Sequence, residues 1–566
     1  MDDAMMDEVR EHDACLARHG LDIWIGSEPT FTHTQSSQAC WFTEAVGGEK
    51  EAHARALLLA LAPRLGGAVE LLRVHGRSYP GEQESRFCMG ALFARRGAAG
   101  ATPPSVSALD AEALAATPTP NEQQAWLTVT PDPGVVEVNM APAHNLATFA
   151  AWSADIYTAA QEAGLSPIRF RYNGEVTDSG GGGQITLGGP SPQLSPFFLR
   201  PQLLPGLVRY LNRHPSLSYW FAPSACGSAS QGPRPDESVR ERFAELPIAL
   251  DFLAARGDDA TPTELWGMLA PLLVDATGSS HRSELNIEKL WNPWSPRGQL
   301  GLVELRALRM PSSAARLTAI AALFRALAAR LAVEPYLKPV EDWGAKLHDR
   351  FGLPWHLERD LEHVLADLDL HGFGLGPRMR AELLWRPEPI ATLTLDDASL
   401  EVRPALSFWP LLGDLASWEQ RGARLVDSSS TRVQLLLRAP AGASLGVLGA
   451  NGWRVPLQPL AAEANHAALG SVIYRAFTPN PGLHPAIPKT DPLRLEWVRG
   501  GRGVRLALHA WQPSGGSYQG LPNDADEASG RRRERVVVSS CGEHDVRLRH
   551  AHESQLDLRR LARAQD

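Results

Sequence analysis

At 566 residues the chain is longer than one ordinary domain and suggests two or three. Its 44% hydrophobic and 21% charged residues suit globular cores, while a formal net charge of −9 and a pI near 6.1 argue against nonspecific nucleic-acid or membrane-surface binding. No apolar run reaches the ~18 residues of a membrane span, the start MDDAMMDEVREHDA is acidic where a secretory signal would be basic, and five scattered cysteines without a CxxC pair argue against a disulfide framework or a structural zinc site; a reduced, bacterial-type cytoplasmic protein is expected.

In chain order, a short polar helix precedes GLDIWIGSEPTFT, which alternates as a strand. EKEAHARALLLALAPRLGG reads as a helix with a glycine stop, followed by the strand AVELLRVHG. Residues 97–120, rich in Ala, Pro, Gly and Thr, read as a loop. AWLTVTPDPGVVEVNMAP gives two strands around a Pro-Asp-Pro-Gly turn, before a helix over 144–163 and the strand PIRFRYN. The glycine run Gly180 to Gly183 leads into the strand ITLGG, and helices are expected near 201–213, 238–256, 263–275, 313–332 and 358–370, with GLVELRALRM a strand among them. Beyond residue 390 the texture becomes short alternating runs with Gly, Asn and Pro turns, as in a β-rich, sandwich-like domain. The expected fold class is therefore α+β: an antiparallel sheet with helices over 1–390, a β-rich C-terminal domain over 391–515, and a polar tail over 516–566.

Three glutamates interrupt or end apolar strands: Glu28 after LDIWIGS, Glu137 in VVEVNM, Glu304 in GLVELRAL. Strand side chains alternate, so Glu137 shares a face with Asn139, and Glu304 shares one with Arg306. A carboxylate on a half-buried strand is costly unless it is paired or bound to a metal, and hard oxygen ligands from several strands suit Mg²⁺ carrying nucleotide phosphates. The alternative for each is an arginine partner or a solvated face. Gly181, Gly182 and Gly183 could let the backbone approach a phosphate, or could simply make a turn; they match neither a P-loop nor a dinucleotide fingerprint. Cys40 and Trp41 in SSQACWF offer a possible thiol nucleophile, which would need an adjacent histidine; a small core cysteine is the plainer reading.

The stretches GLDIWIGSEPTF, HGRSYPGEQESRF, VTPDPGVVEVNMAP, HPSLSYWF, HRSELNIEKLWNP, GQLGLVELRALRMP, KLHDRFGLP and LVDSSSTRVQ resemble, in order and spacing, the domain that commonly follows a transglutaminase-like domain in large bacterial proteins. That domain in turn resembles, distantly, the glutamine synthetase and glutamate–cysteine ligase fold. SEPTF resembles the first acid-bearing strand of those carboxylate–amine ligases, GGGGQITLGG the glycine-rich loop before a metal-binding histidine, and LVELRAL the terminal Glu-x-Arg strand. The resemblance implies ATP and Mg²⁺ as cofactors, with Glu28, Glu137, Glu304 and Gln184 as metal ligands. It also implies Arg306 beside Glu304 as the group that stabilises a transferring phosphate, Gly181–Gly183 at the nucleotide, and Arg77, Asn139, Gln231, Arg234 and Arg282 around the substrate. The substrate would be a peptide or small-molecule carboxylate. Partner proteins of ATP-grasp and helical types are implied, and nucleic acid or membrane partners are not.

Two departures bear on activity. Where relatives carry His-Thr-Gly-Thr-Gly-Gly-Gly-Asn-His, this chain has VTDSGGGGQ, with Val176 at the first histidine and Gly183–Gln184 at the Asn-His pair. Thr30 stands where the ligases carry a second acid on the first strand. Three functions are therefore open: an ATP- and Mg²⁺-dependent amidoligase, catalytically reduced or not; a non-catalytic subunit presenting a carboxylate to an ATP-grasp partner; and a cysteine-dependent acyl transferase or protease using Cys40.

Overall fold

A change of strand partner at Glu28 and Pro29 sets the architecture of the N-terminal two thirds. The computed structural model describes residues 1–33, 44–65, 72–75, 87–94, 124–132, 135–222, 224–228, 230–295, 298–415, 423–461, 466–479, 482–542, 548–549 and 555–561. The loop expected over 97–120, the Cys40–Trp41 pair and Arg77 all lie outside the described residues.

Among the described residues, twelve strands precede residue 310: β1 (Trp24–Ser27), β2 (Thr30–Phe31), β3 (Leu72–His75), β4 (Phe87–Ala94), β5 (Gln124–Asp132), β6 (Val135–Asn139), β7 (Ile168–Phe170), β8 (Val176–Asp178), β9 (Ile185–Gly188), β10 (Ala225–Cys226), β11 (Leu285–Asn286) and β12 (Val303–Leu305). The single sheet expected from sequence is two antiparallel sheets, ordered β1-β9-β12-β11 and β2-β6-β5-β4-β3. Proline explains the division. Pro29 has no N–H to give, yet its carbonyl accepts from Val138 N, while the Glu28 carbonyl accepts from Gly183 N on the other side. One extended segment thus crosses from the first sheet to the second.

Helices cover the apolar sides. Leu146–Glu162 starts at Asn145, whose side chain accepts from Thr148 N, and the Asp13 carboxylate accepts from Leu146 N and Ala147 N. Arg325 pairs with that Asp13 and donates through Nε to the Ile23 carbonyl at 2.8 Å. It lies on Ala314–Val333, a helix buried almost all round. The first helix, Asp3–Arg18, the central helix and the entry to β1 are thereby fixed to one another.

Beyond residue 390 come β13 (Ala391–Leu395), β14 (Ala398–Ala405), β15 (Ser407–Phe408), β16 (Leu411–Leu415), β17 (Ala423–Val426), β18 (Ser430–Ala439), β19 (Val447–Ala450), β20 (Trp453–Arg454), β21 (Gln458–Pro459), β22 (His466–Arg475), β23 (Leu493–Arg499), β24 (Arg502–Leu508), β25 (Val536–Gly542) and β26 (Leu556–Asp557). One sheet runs β13-β14-β18-β22-β21, the other β20-β19-β23-β24-β25, and Leu400, Leu435 and Val472 of the first share a core with Leu448, Leu495 and Trp497 of the second. The fold is α+β with antiparallel sheets.

Where a polar tail was expected over 516–566, the described residues form a helix and strands. β25 pairs with the whole of β24, and β26 adds to β22 in parallel. The helix Ala525–Glu534 packs on the β7–β8 hairpin, where Arg531 donates to the Tyr172 carbonyl at 2.7 Å and Arg535 pairs with Glu175 at 3.2 Å. The mixed charge that suggested a tail is spent on hairpin carbonyls and a carboxylate. A second link is the parallel pairing of β10 with β15.

Candidate active site

Register places the chemistry-bearing side chains on one face. In the first sheet Gly26 faces Thr186, which faces Glu304, which faces Asn286. Continuing by two residues aligns Glu28 with Gln184 and Arg306 on the same face, while Ile25, Ile185, Leu187, Val303 and Leu305 fill the core behind. In the second sheet Thr30 faces Glu137, so the same parity puts Glu28 opposite Asn139. The segment that changes sheets therefore carries one polar surface across the bend, from Glu137 and Asn139 through Glu28 to Glu304 and Arg306.

Charges along it are compressed. Arg306 Nη1 donates to Glu304 Oε1 at 2.5 Å, and both side chains are buried. Burial raises the pKa of Glu28 above the usual carboxylate range, and the nearby Glu304 raises it further, against the pull of Lys289, Arg306 and His281. Lys289 Nζ stands 3.9 Å from Glu28 Oε1. Arg306 Nη2 lies 3.4 Å from His281 Nε2, and His281 Nδ1 lies 3.5 Å from Glu288. Glu288 is held down at about 2 by hydrogen bonds from His281, Ser280 and Asn286. A cavity of about 250 Å³ opens beside Glu288 and Lys289, walled by Trp266, Ile287 and Asn292.

The glycine run is shaped by the protein's own backbone. Gly182 and Gly183 have φ of +81° and +77°, and a Cβ on either would collide, on Gly182 with Thr30 and the Glu28 carbonyl, on Gly183 with residues 309–311. This differs from the expected role of making room for phosphate. Gly181 alone of the three has open space where a Cβ would be. Thr30 holds the run in place: its hydroxyl meets Ser179 Oγ at 2.7 Å and donates to the Gly181 carbonyl. Next in line, Gln184 is 8% exposed, and among the described residues its buried Oε1 finds no hydrogen-bond partner, nor does Nε of Arg306. Buried polar atoms are almost always satisfied, so two orphans on one face beside two carboxylates mark a place that accepts something.

Glu28, Gln184, Glu304 and Arg306 come together in one sheet, with Glu137 and Asn139 on the continuing face of the other; Asn139 Nδ2 donates to Glu137 Oε1 at 3.1 Å. Gln231 is exposed, and its neighbour Gly232 packs on the backbone of Arg306 and Ala307. Arg282 is half-buried beside His281. Arg234 is not presented to a ligand as the resemblance implied. It is 1% exposed, with Nε and Nη2 on Asp236 at 2.9 Å, Nη1 on the Leu211 carbonyl and Nη2 also on that of Asn212. Sequence reasoning missed His281, Glu288 and Lys289. The alternation of Glu284, Asn286 and Glu288 along HRSELNIEKL was the available signal.

The donor set suits the implied cofactors. Carboxylate oxygens of Glu28 and Glu304, with the orphaned amide oxygen of Gln184, are hard ligands of the kind Mg²⁺ takes, and a cation there would offset the burial and the Glu304 repulsion that raise Glu28.

Residues 3–108 and 114–559 match the family described as "Putative amidoligase enzyme (DUF2126)". The chain belongs to that family. No curated protein matches it. Among solved structures it is similar to one described as "Apo GmaS without ligand", with 12% identity over 67% of this chain and 71% of that one at a TM-score of 0.28. Another, "GmaS/ADP complex-Conformation 1", has 13% identity over the same shares at a TM-score of 0.30. Both scores are too low to bear on this chain's fold or chemistry. Among the described residues no helix is long and apolar enough to cross a membrane.

Proposed function

We propose that this amidoligase-family chain is an ATP- and Mg²⁺-dependent carboxylate–amine ligase that activates a peptide or small-molecule carboxylate as an acyl phosphate for attack by an amine. The observation that carries this reading is the pair of orphaned buried atoms, Gln184 Oε1 and Arg306 Nε, on a face where Glu28 and Glu304 repel each other. Glu28, Glu304 and Gln184 would hold Mg²⁺, with Glu137 on the continuing face. The metal would neutralise nucleotide phosphate charge. Arg306, fixed by Glu304, would present its remaining guanidinium edge to the transferring phosphate. His281, 3.4 Å from Arg306, would restrain that guanidinium, and Lys289 would add positive charge near Glu28. The division of the chain at 390, the glutamine-synthetase-like arrangement of the first part, a sandwich arrangement of the β-rich part, a cytoplasmic setting and the association with transglutaminase-like domains belong to the same proposal.

Thr30 and Gln184, standing where the ligases carry an acid and a histidine, favour a second reading: a non-catalytic subunit presenting a carboxylate to an ATP-grasp partner, with a helical protein in the complex. Phosphate release from Mg²⁺·ATP across a panel of carboxylates and amines separates the two. Turnover that Glu304→Gln abolishes supports the ligase. Absence of Mg²⁺·ATP binding at millimolar concentrations sinks it and leaves the subunit.

A further inference from the structure

Away from the polar sheet face, three segments converge where β10 pairs with β15. β10 ends in Cys226, the 3-10 turn Pro235–Glu237 ends in Glu237, and the short helix Lys346–Phe351 carries His348. One ligand atom from each, the Cys226 thiol, a Glu237 carboxylate oxygen and a His348 ring nitrogen, lie within 4.8 Å of one another. We propose that Cys226, Glu237 and His348 form a binding site for a borderline divalent transition metal, zinc by chemistry, with its fourth position open to solvent on the His348 side.

The donor set of one thiolate, one imidazole and one carboxylate selects zinc-type ions over Mg²⁺ or Ca²⁺, which prefer oxygen alone. Zinc bonds of about 2.0–2.3 Å place tetrahedral ligands roughly 3.3–3.6 Å apart, so side-chain rotations that open the Glu237–His348 contact and bring the sulfur closer would seat the ion. The ligands are held from behind. Glu237 Oε1 accepts from the Tyr219 hydroxyl at 2.5 Å and lies 2.7 Å from His348 Nε2, while Oε2 accepts from Arg234 N at 3.0 Å. The imidazole lies against the Phe408 ring, with centroids 4.7 Å apart. Cys226 is buried and its thiol reaches no nearer acceptor than the Ser407 carbonyl at 3.8 Å. Access is one-sided, since the Glu237 side chain is 1% exposed and that of His348 30%.

Burial, and then Glu237, push the Cys226 thiol well above its usual range, so without metal it stays protonated. Burial alone would raise Glu237, but the bonds from His348 and Tyr219 outweigh it and keep the carboxylate ionised. Metal binding would displace the proton of the Cys226 thiol and leave the metal bound to thiolate, carboxylate and imidazole. Asp236, Glu237 and Glu284 stand against Arg234 and Arg432 around the cluster, and that acidic balance accommodates the added positive charge.

Cobalt tests the sulfur directly. The full-length protein, stripped with chelator, is titrated with Co²⁺ and then Zn²⁺. About one equivalent of Co²⁺ should bind with a thiolate-to-metal charge-transfer band in the near ultraviolet, and Zn²⁺ should displace it. Cys226→Ser should abolish the band, whereas Cys15→Ser and Cys541→Ser should leave it unchanged. His348→Gln, at a partly exposed position, should weaken binding at least tenfold and gives the same test should Cys226→Ser fail to fold. A folded wild-type protein with no band, a band that survives Cys226→Ser, or wild-type affinity in His348→Gln would overturn the site.

Discussion

Two buried polar clusters meet at Glu284 and differ in how completely their hydrogen bonds are used. Around Arg234 the guanidinium is bonded to Asp236, Leu211 and Asn212. Ser218 donates to Glu284, whose carbonyl accepts from Arg306 N at 2.9 Å. On the far side of that last bond lies the sheet face, where Gln184 Oε1 and Arg306 Nε have no partner among the described residues and Glu304 opposes the ionisation of Glu28. Both clusters contain an arginine between acids, so residue type does not distinguish them. Saturation does: a network closed on itself specifies the fold, and one left open is arranged for something not in the chain.

The contrast predicts opposite outcomes for the two arginines, and the largest effect belongs to the closed cluster. Arg234→Met should cost about 3–5 kcal/mol, since it leaves Asp236 and Glu284 buried without their cation. Urea unfolding followed by tryptophan fluorescence measures it; a loss under ~1 kcal/mol would show that the cluster is not closed as described.

A pH dependence of on the order of 2–3 kcal/mol comes next, from Glu284. Burial pushes its pKa up to about 7 from an ordinary 4.5, despite Arg234. A carboxyl raised on folding binds its proton more tightly in the native state, so its contribution is full below pH ~4.5 and is lost as pH rises through about 7. Glu284→Gln should flatten unfolding free energy between those limits. An unchanged slope would place the dependence on another group.

Much of this was legible in the sequence, and the limits are physical. Period-two alternation gave Glu304 and Arg306 one face, and their ion pair shows it. Helices expected near 201–213 and 313–332 are Leu203–Arg213 and Ala314–Val333, bracketed by Pro201 and Pro215 and by Pro311 and Pro335, with Ser313 capping the second. Arg234 was assigned to the substrate only through the resemblance, and a single arginine in SQGPRPDE carries no local sign of burial. Only the tertiary fold shows the Leu211 and Asn212 carbonyls closing over it. Residues beyond 515 read as tail because β25 is largely exposed and polar at its end, and pairing with β24 leaves no periodic signature in one strand alone. The glycine run was visible, but not that Thr30 and the Glu28 carbonyl fill the space at Gly182 and residues 309–311 that at Gly183.

On the open face the expected effects are smaller and tied to ligand. Glu28→Gln removes a carboxylate whose ionisation is opposed by burial and by Glu304, so the ligand-free protein should gain about 1 kcal/mol or less, discounted because the side chain is 21% exposed. The same change should erase any rise in melting temperature on adding Mg²⁺ and ATP. Scanning calorimetry with and without Mg²⁺·ATP reads both. A variant that keeps the ligand-dependent rise would remove Glu28 from the proposed metal site.

The smallest effect is the most discriminating, because its sign reverses with ligand. Gln184 has its Oε1 buried with no protein partner, and an unmet buried acceptor costs the native state on the order of 1 kcal/mol. Methionine is close in length and needs no hydrogen bond, so Gln184→Met should stabilise the ligand-free protein by about that amount. If the amide oxygen serves Mg²⁺, the same variant should bind Mg²⁺·ATP at least tenfold more weakly. Gln184→His restores a metal-ligating atom at this point and should recover binding that methionine loses. Isothermal titration on the three proteins orders them: histidine and glutamine binding, methionine not. Equal binding in all three, with the stability gain present, would mean that the orphaned oxygen is a packing fault rather than a ligand. The open face would then lose the feature that separates it from the closed cluster around Arg234.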